Sequence, residues 1–219
     1  MRVVFSTGNY FRMAARLLVL GTRNRKKVEE LLPLLEPHGF VLKSLAEFPN
    51  SALVDETGDS FAANAALKAT IQARQLNAWV LGEDSGLAVD ALKGAPGIYS
   101  ARFSGEGATD AGNNACLLAK LAGVPLERRT AHYVCHATLS DPEGNVRAEA
   151  EDVCRGRILL SESGNGGFGY DPLFEIPEYH KTFGELGPAV KAVLSHRSRA
   201  IRALVPQIIQ LCREGGWPS

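Results

Sequence analysis

Thr22-Arg23-Asn24-Arg25-Lys26-Lys27 crowds four cations into one turn, between a short apolar run and an amphipathic stretch. A cationic turn that opens a helix suits an anion. The first backbone N–H groups of a helix have no intrahelical partner, and the macrodipole adds positive charge there. Asn24 reads as the N-cap, with Lys27 in the first turn. A similar stretch, Val3 to Arg12, lies upstream. Only Met13 to Arg16 separate it from the next apolar run, which leaves no room for a helix, so the second turn is the better anion site. Two carboxylate pairs, Asp55-Glu56 and Glu83-Asp84, each lie close to a Gly. Mg2+ takes oxygen ligands, usually one or two carboxylates together with substrate phosphates. Either pair alone reads as a turn or a cap. With the cationic turn they make the two-signed set that a metal-bound polyphosphate needs.

Two further stretches could hold the rest of such a ligand. Gly164 to Pro172 carries four glycines together with Phe168, Tyr170 and Asp171. Glycines allow close backbone approach; Phe168 and Tyr170 offer stacking faces and Asp171 an acceptor. Ser195-His196-Arg197 stands at a helix start and offers donors. His132 and His136 share a strand face about 13 Å apart, too far to share a metal.

The elements that position these residues follow from periodicity. Leu17 to Gly21 reads as a buried strand. Lys26 to Leu35 carries a helical stripe at Val28, Leu31, Leu32 and Leu35, stopped by Pro37 and Gly39. Phe40 to Leu45 reads as a second strand. Asp59 to Leu76 reads as an Ala-rich helix capped by Asp59 or Ser60. Trp79 to Gly82 reads as a short strand, and the Gly- and Pro-rich segment after it as too broken for a long element. Thr109 to Leu121 is helical. Ala131 to Leu139 alternates as a strand and turns through Ser140 to Asn145 into Val146 to Ile158. Pro188 to Leu194 and His196 to Cys212 are helices meeting near Ser195. The order β-α-β-α-β followed by a hairpin predicts an α/β fold with a mixed sheet flanked by helices.

Bulk properties bound the partners. The 219 residues fit one large domain or two small lobes. Lys plus Arg and Asp plus Glu balance at 24 each, so no overall basic field attracts nucleic acid and any anion site is local. The four cysteines are widely spaced and suggest a reducing cytoplasm. No apolar run approaches the roughly 20 residues of a membrane span.

The motifs GTRNRKKVEEL, DETG..F..NA..KA, EDSGLAVDALKGAPGIYSARFSG, GGFGYDPLF and SHRSRA occur in that order. Together, from about Leu17 to about Leu211, they resemble the inosine triphosphate pyrophosphatase family. The resemblance implies an elongated mixed sheet in two lobes with a central active-site cleft. It places that domain over residues 16–219 and leaves residues 1–15 as an N-terminal extension. It also implies a cytoplasmic homodimer that uses Mg2+ to hydrolyse ITP, dITP and XTP to a monophosphate and pyrophosphate, clearing deaminated purines.

Residue by residue, the resemblance assigns Thr22, Asn24 and Lys27 to the triphosphate, with Arg23, Arg25 and Lys26 in the same turn. It gives Glu56 and Asp84 to the metal, and the general base to Asp84. Glu83 assists, where bacterial members of the family have Asp. Ser85 contacts substrate, Phe168, Gly169, Tyr170 and Asp171 form the base-binding loop, and Lys191, His196 and Arg197 complete the substrate contacts. Arg23 replaces a Gly common in the family. A pyrophosphatase for pyrimidine or methylated nucleotides and a silent nucleotide sensor are the rival readings. The carboxylates favour an enzyme, since a sensor could hold a triphosphate with the cationic turn alone.

Overall fold

A computed structural model describes residues 16–217. The expected extension, residues 1–15, lies outside that range. From Arg16 the chain runs β1 (Arg16–Leu20), α1 (Arg25–Leu35), β2 (Phe40–Ser44), α2 (Phe61–Leu76), β3 (Trp79–Val89) and α3 (Asp110–Lys120). It continues with β4 (Thr130–Ser140), β5 (Val146–Ile158), β6 (Phe174–Ile176), β7 (Lys181–Thr182), α4 (Pro188–Leu194) and α5 (His196–Arg213). The strands form one mixed sheet, ordered β2-β1-β3-β4-β5-β6-β7. β1 pairs in parallel with β2 and β3, and every later pair is antiparallel. The parallel pairs are reached through α1 and α2, because parallel strands need a crossover.

Local signals set most boundaries. The Asn24 side chain accepts from the Lys26 and Lys27 amides and starts α1. Gly39, with φ of 81°, ends the turn that follows it. Ser60 caps α2 by accepting from the Ala63 amide. Strand β3 is the exception: it does not stop near Gly82 but runs on to Val89. Pairing overrides the local Gly content, since β4 holds β3 from Val80 opposite Ser140 to Val89 opposite Ala131. The glycines serve close approach instead. A Cβ on Gly82 would lie 2.6 Å from the Ala65 carbonyl oxygen and the Ala69 nitrogen. On Gly86 it would meet the Gly97 carbonyl oxygen at 2.5 Å.

Two main apolar clusters form towards opposite ends of the long strands. Leu81, Leu139 and Ala148 pack with α1 and α5 in one. Val89, Ala131, Cys154 and Ile158 pack with α3 and β6 in the other. Between them β3 carries Glu83, Asp84 and Ser85. The α/β fold with a mixed sheet flanked by helices, expected from the sequence, is the one observed. Among the described residues no helix is long and apolar enough to cross a membrane.

Because the atoms facing Gly82 are helix backbone, they cannot rotate away. Gly82→Ala is expected to destabilise the fold by about 1–3 kcal/mol, the usual cost of overpacking, read as a lower urea midpoint at unchanged m-value.

Candidate active site

Alternation along β3 sends its two carboxylates in opposite directions. Glu83 meets α1 and α5: Lys27 Nζ lies 2.5 Å from Oε1, and the Arg197 guanidinium 3.4 Å from Oε2. Asp84 meets α2: Lys68 Nζ lies 2.6 Å from Oδ1, and Asn64 Nδ2 donates to Oδ2 at 3.4 Å. Lys68 also reaches Glu56 at 2.8 Å, and Arg102 pairs with the other Glu56 oxygen at 3.1 Å. Lys68 ammonium is therefore shared by the two carboxylates expected to hold metal.

Arg197 is the other organiser. It is buried, with hydrogen bonds from its guanidinium to Glu30, Glu83 and Ser85 Oγ. Glu30 also accepts from Lys191 at 2.7 Å, and Lys191 reaches Asp171 at 2.5 Å. The result is a chain of alternating charge: Asp171, Lys191, Glu30, Arg197, Glu83, Lys27. Burial pushes the Glu83 carboxyl upward, but Arg197 and Lys27 outweigh it and hold Glu83 well below the usual carboxylate range. Asp84 goes the other way. Burial raises it, Lys68 only partly opposes that, and Glu56 adds to it. Glu83 is thus a fixed anion, and Asp84 is the more readily protonated of the two.

A cavity of about 200 Å³ gathers most of the expected residues: Asn24, Lys27, Glu56, Asp84, Ser85, the Phe168 to Asp171 loop, His196 and Arg197. Lys26 and Lys191 line a neighbouring cavity of about 470 Å³ that also borders Phe168. Within the loop, Phe168 is half-buried and lies under Lys191 at 4.4 Å. Tyr170 is buried and donates its hydroxyl to the Ser100 carbonyl. Asp171 is buried and accepts the Phe168 N–H. Phe168 thus presents its ring to the cleft with the Lys191, Lys26 and Arg197 cations close to it, while Tyr170 and Asp171 shape the loop. His196 stacks on Tyr133 at 4.6 Å, and burial with the nearby Arg197 and Lys191 charges holds its pKa well below the ordinary value. His196 Nδ1 and Arg197 Nε are buried without a hydrogen-bond partner.

Two members of the cationic turn, Arg23 and Arg25, lie away from the cleft, and a third, Lys26, stands at its mouth. Arg23 donates to the carbonyl and hydroxyl of Ser51 at 2.6 Å. Arg25 pairs along the helix with Glu29 on the solvent face. Lys26 reaches across to the Gly167 carbonyl. The helical period explains this, since Lys27 alone is turned toward β3. Thr22 acts on the turn itself, its hydroxyl accepting the Asn24 N–H at 3.1 Å. Because Asn24 already takes the Lys26 and Lys27 amides, the helix offers an anion its dipole and the Lys27 ammonium rather than a full set of amides. Sequence reasoning missed Lys68, Arg102 and Glu30. Asn64 and Lys68 stand four apart, one turn of α2, which was the available signal.

Glu56 and Asp84 suit a hard cation, since both bring oxygens to one point. Among the described residues no group of three or more His, Cys, Asp or Glu gathers to hold a metal ion. A dication here would complete its shell with phosphate oxygens and water.

The chain matches the Ham1 family over residues 18–207. A dITP/XTP pyrophosphatase of Rhodopirellula baltica is 57% identical over 194 residues, which is 89% of this chain and 93% of that protein. A second, from Desulforamulus reducens, is 50% identical over 185 residues, or 84% and 92%. The solved structure of a HAM1 protein from Coxiella burnetii superposes with a TM-score of 0.82 at 33% identity, covering 89% of this chain and 99% of that one.

The opposite shifts of the two carboxylates have opposite consequences. Glu83 is depressed on folding, so its contribution is complete above the ordinary glutamate pKa and is lost as pH falls below it. Glu83→Ala leaves Arg197 buried without that partner and is expected to cost about 3–5 kcal/mol. Denaturant melts at pH 7 and pH 3 should show the difference between the variant and the unmodified protein narrowing in acid. An equal difference at both values would contradict the depressed pKa.

Proposed function

The chain belongs to the Ham1 family, and we propose that it is a nucleoside triphosphate pyrophosphatase acting on deaminated purine nucleotides. The substrates in this reading are ITP, dITP and XTP, the products a nucleoside monophosphate and pyrophosphate, and the role the removal of deaminated purines from nucleotide pools. The observation that carries it is the convergence of Lys27, Asp84, Glu56 and Phe168 on one cleft.

Each residue has a separable task. Glu83 fixes Lys27 so that its ammonium meets the pyrophosphate end of the substrate. Glu56 and Asp84 would hold Mg2+, which offsets phosphate charge when bound. Asp84 orients the attacking water or takes its proton. Lys68 and Asn64 hold Asp84 in one orientation. Phe168 stacks on the base. His196 and Arg197, which line the cleft at the start of α5, are the candidate donors to an oxygen at C6 of the purine. His196 is held neutral, so Nδ1 donates only in one tautomer. Adenine presents an amino donor at C6, and one such mismatch costs about 1–3 kcal/mol, roughly 5- to 150-fold. The same reading carries a cytoplasmic homodimer working on free nucleotides rather than nucleic acid. The balanced charge supports the last point.

Pyrophosphate release with Mg2+ should show kcat/KM for dITP, ITP and XTP above that for ATP by roughly tenfold or more. Comparable turnover of ATP would remove the proposed base selectivity. In ¹⁸O-water the label should appear in the monophosphate; label in orthophosphate instead would place attack at another phosphorus. Asp84→Asn should fold and lose about 10²–10⁴ in kcat. Near-normal turnover in that variant would move the base to another residue.

A further inference from the structure

Asp110 has no part in the chemistry above, yet it stands at the mouth of the cleft. It opens α3 behind the Thr109 cap, where an acidic side chain suits the helix dipole. Its other contacts go beyond that. Oδ2 accepts the Gly169 N–H at 2.9 Å and lies 4.0 Å from Lys26 Nζ. Lys26 also donates to the Gly167 carbonyl at 3.4 Å and lies 5.6 Å from the Phe168 ring centre. Three segments therefore meet over the opening: the start of α3, the cationic turn and the glycine loop. Asp110 lines the same cavity as Lys27 and Asp84.

The strengths of these contacts differ. The side chains of Lys26 and Asp110 are 55% and 59% exposed, and an ion pair of that kind is worth little. A triphosphate carries several charges and would outcompete one exposed carboxylate for Lys26. The hydrogen bond from the Gly169 N–H goes to the same oxygen, Oδ2, but needs only an acceptor there and not a charge. Resting on the reading of the cleft as a triphosphate site, we propose that Asp110 is a latch. In the free protein it holds Lys26 and the Gly169 amide across the opening. It yields Lys26, but not the amide, to the triphosphate of the incoming nucleotide. Asp110 thus orders the base-binding loop while competing with substrate for one cation.

The two functions separate in two variants. Asp110→Asn keeps an acceptor for the Gly169 amide and removes the charge. Its KM for dITP should fall about two- to fivefold with kcat nearly unchanged, and the gain should shrink at high ionic strength. Asp110→Ala also loses the acceptor, so its KM should exceed that of the Asn variant by about threefold or more. In a Lys26→Met background, Asp110→Asn should no longer lower KM, because the competition is specifically for Lys26. An unchanged or raised KM in Asp110→Asn overturns the latch. So does an equal gain in the Lys26→Met background, which would mean general repulsion of substrate. Thermal melts check that each variant is folded. Dissociation constants for inorganic tripolyphosphate, measured by calorimetry on the same proteins, should follow the same pattern. If the unmodified protein releases no pyrophosphate, the proposed activity fails, and the tripolyphosphate series still decides the latch.

Discussion

Burying the Arg197 guanidinium is the constraint on which the site depends. The side chain is 2% exposed, and arginine stays charged. Removing such a cation from water costs several kcal/mol unless carboxylates surround it. Glu30 and Glu83 do so, and Ser85 takes a further N–H. Each carboxylate then recruits a second cation, Lys191 on one side and Lys27 on the other. The charge chain thereby joins the glycine loop to the cationic turn. Burial of one residue at the start of α5 thus ties together helices α1, α4 and α5, strand β3 and the glycine loop.

That constraint divides the acidic residues of the centre into two kinds. Glu83 is enclosed by cations and is held ionised, which makes it a poor proton acceptor. Asp84 has Lys68 close by, but it shares that ammonium with Glu56 and is raised by burial. Neighbours in sequence therefore differ in chemistry because the pleat gives them different company. The same logic leaves Lys27 aimed into the cleft while Arg25, two residues earlier, pairs with Glu29 in solvent.

Much of this was legible in the sequence where a residue's role is set by its own segment. The Asn24 cap and the alternation of β4 depend on a few adjacent residues, and the structure has them; of Asp59 and Ser60, the two candidate caps of α2, it uses Ser60. The convergence of the cationic turn, the carboxylates and the glycine loop was also readable, because the motifs were long. What escaped depends on distant pairing. The length of β3 is set by β4, some 50 residues later. Lys68 gains meaning only when α2 lies over the Asp84 side of β3. Arg23 looked like a phosphate ligand by its place in the turn, but Ser51 captures its guanidinium. A side chain with several rotatable bonds is directed by its partners rather than by its neighbours in sequence.

The ten-pair ladder between β3 and β4 also safeguards the centre against frame errors in the strand. Side chains along a strand alternate with period two, so inserting or deleting one residue before Glu83 would exchange the faces of everything beyond it. Glu83 would turn toward Lys68, and Asp84 would be enclosed by Arg197 and Lys27. Composition, charge and motif would all survive such a change, yet the two carboxylates would trade surroundings and neither would suit its new place. Length variation is therefore tolerable in the connections around this strand and intolerable within its first half.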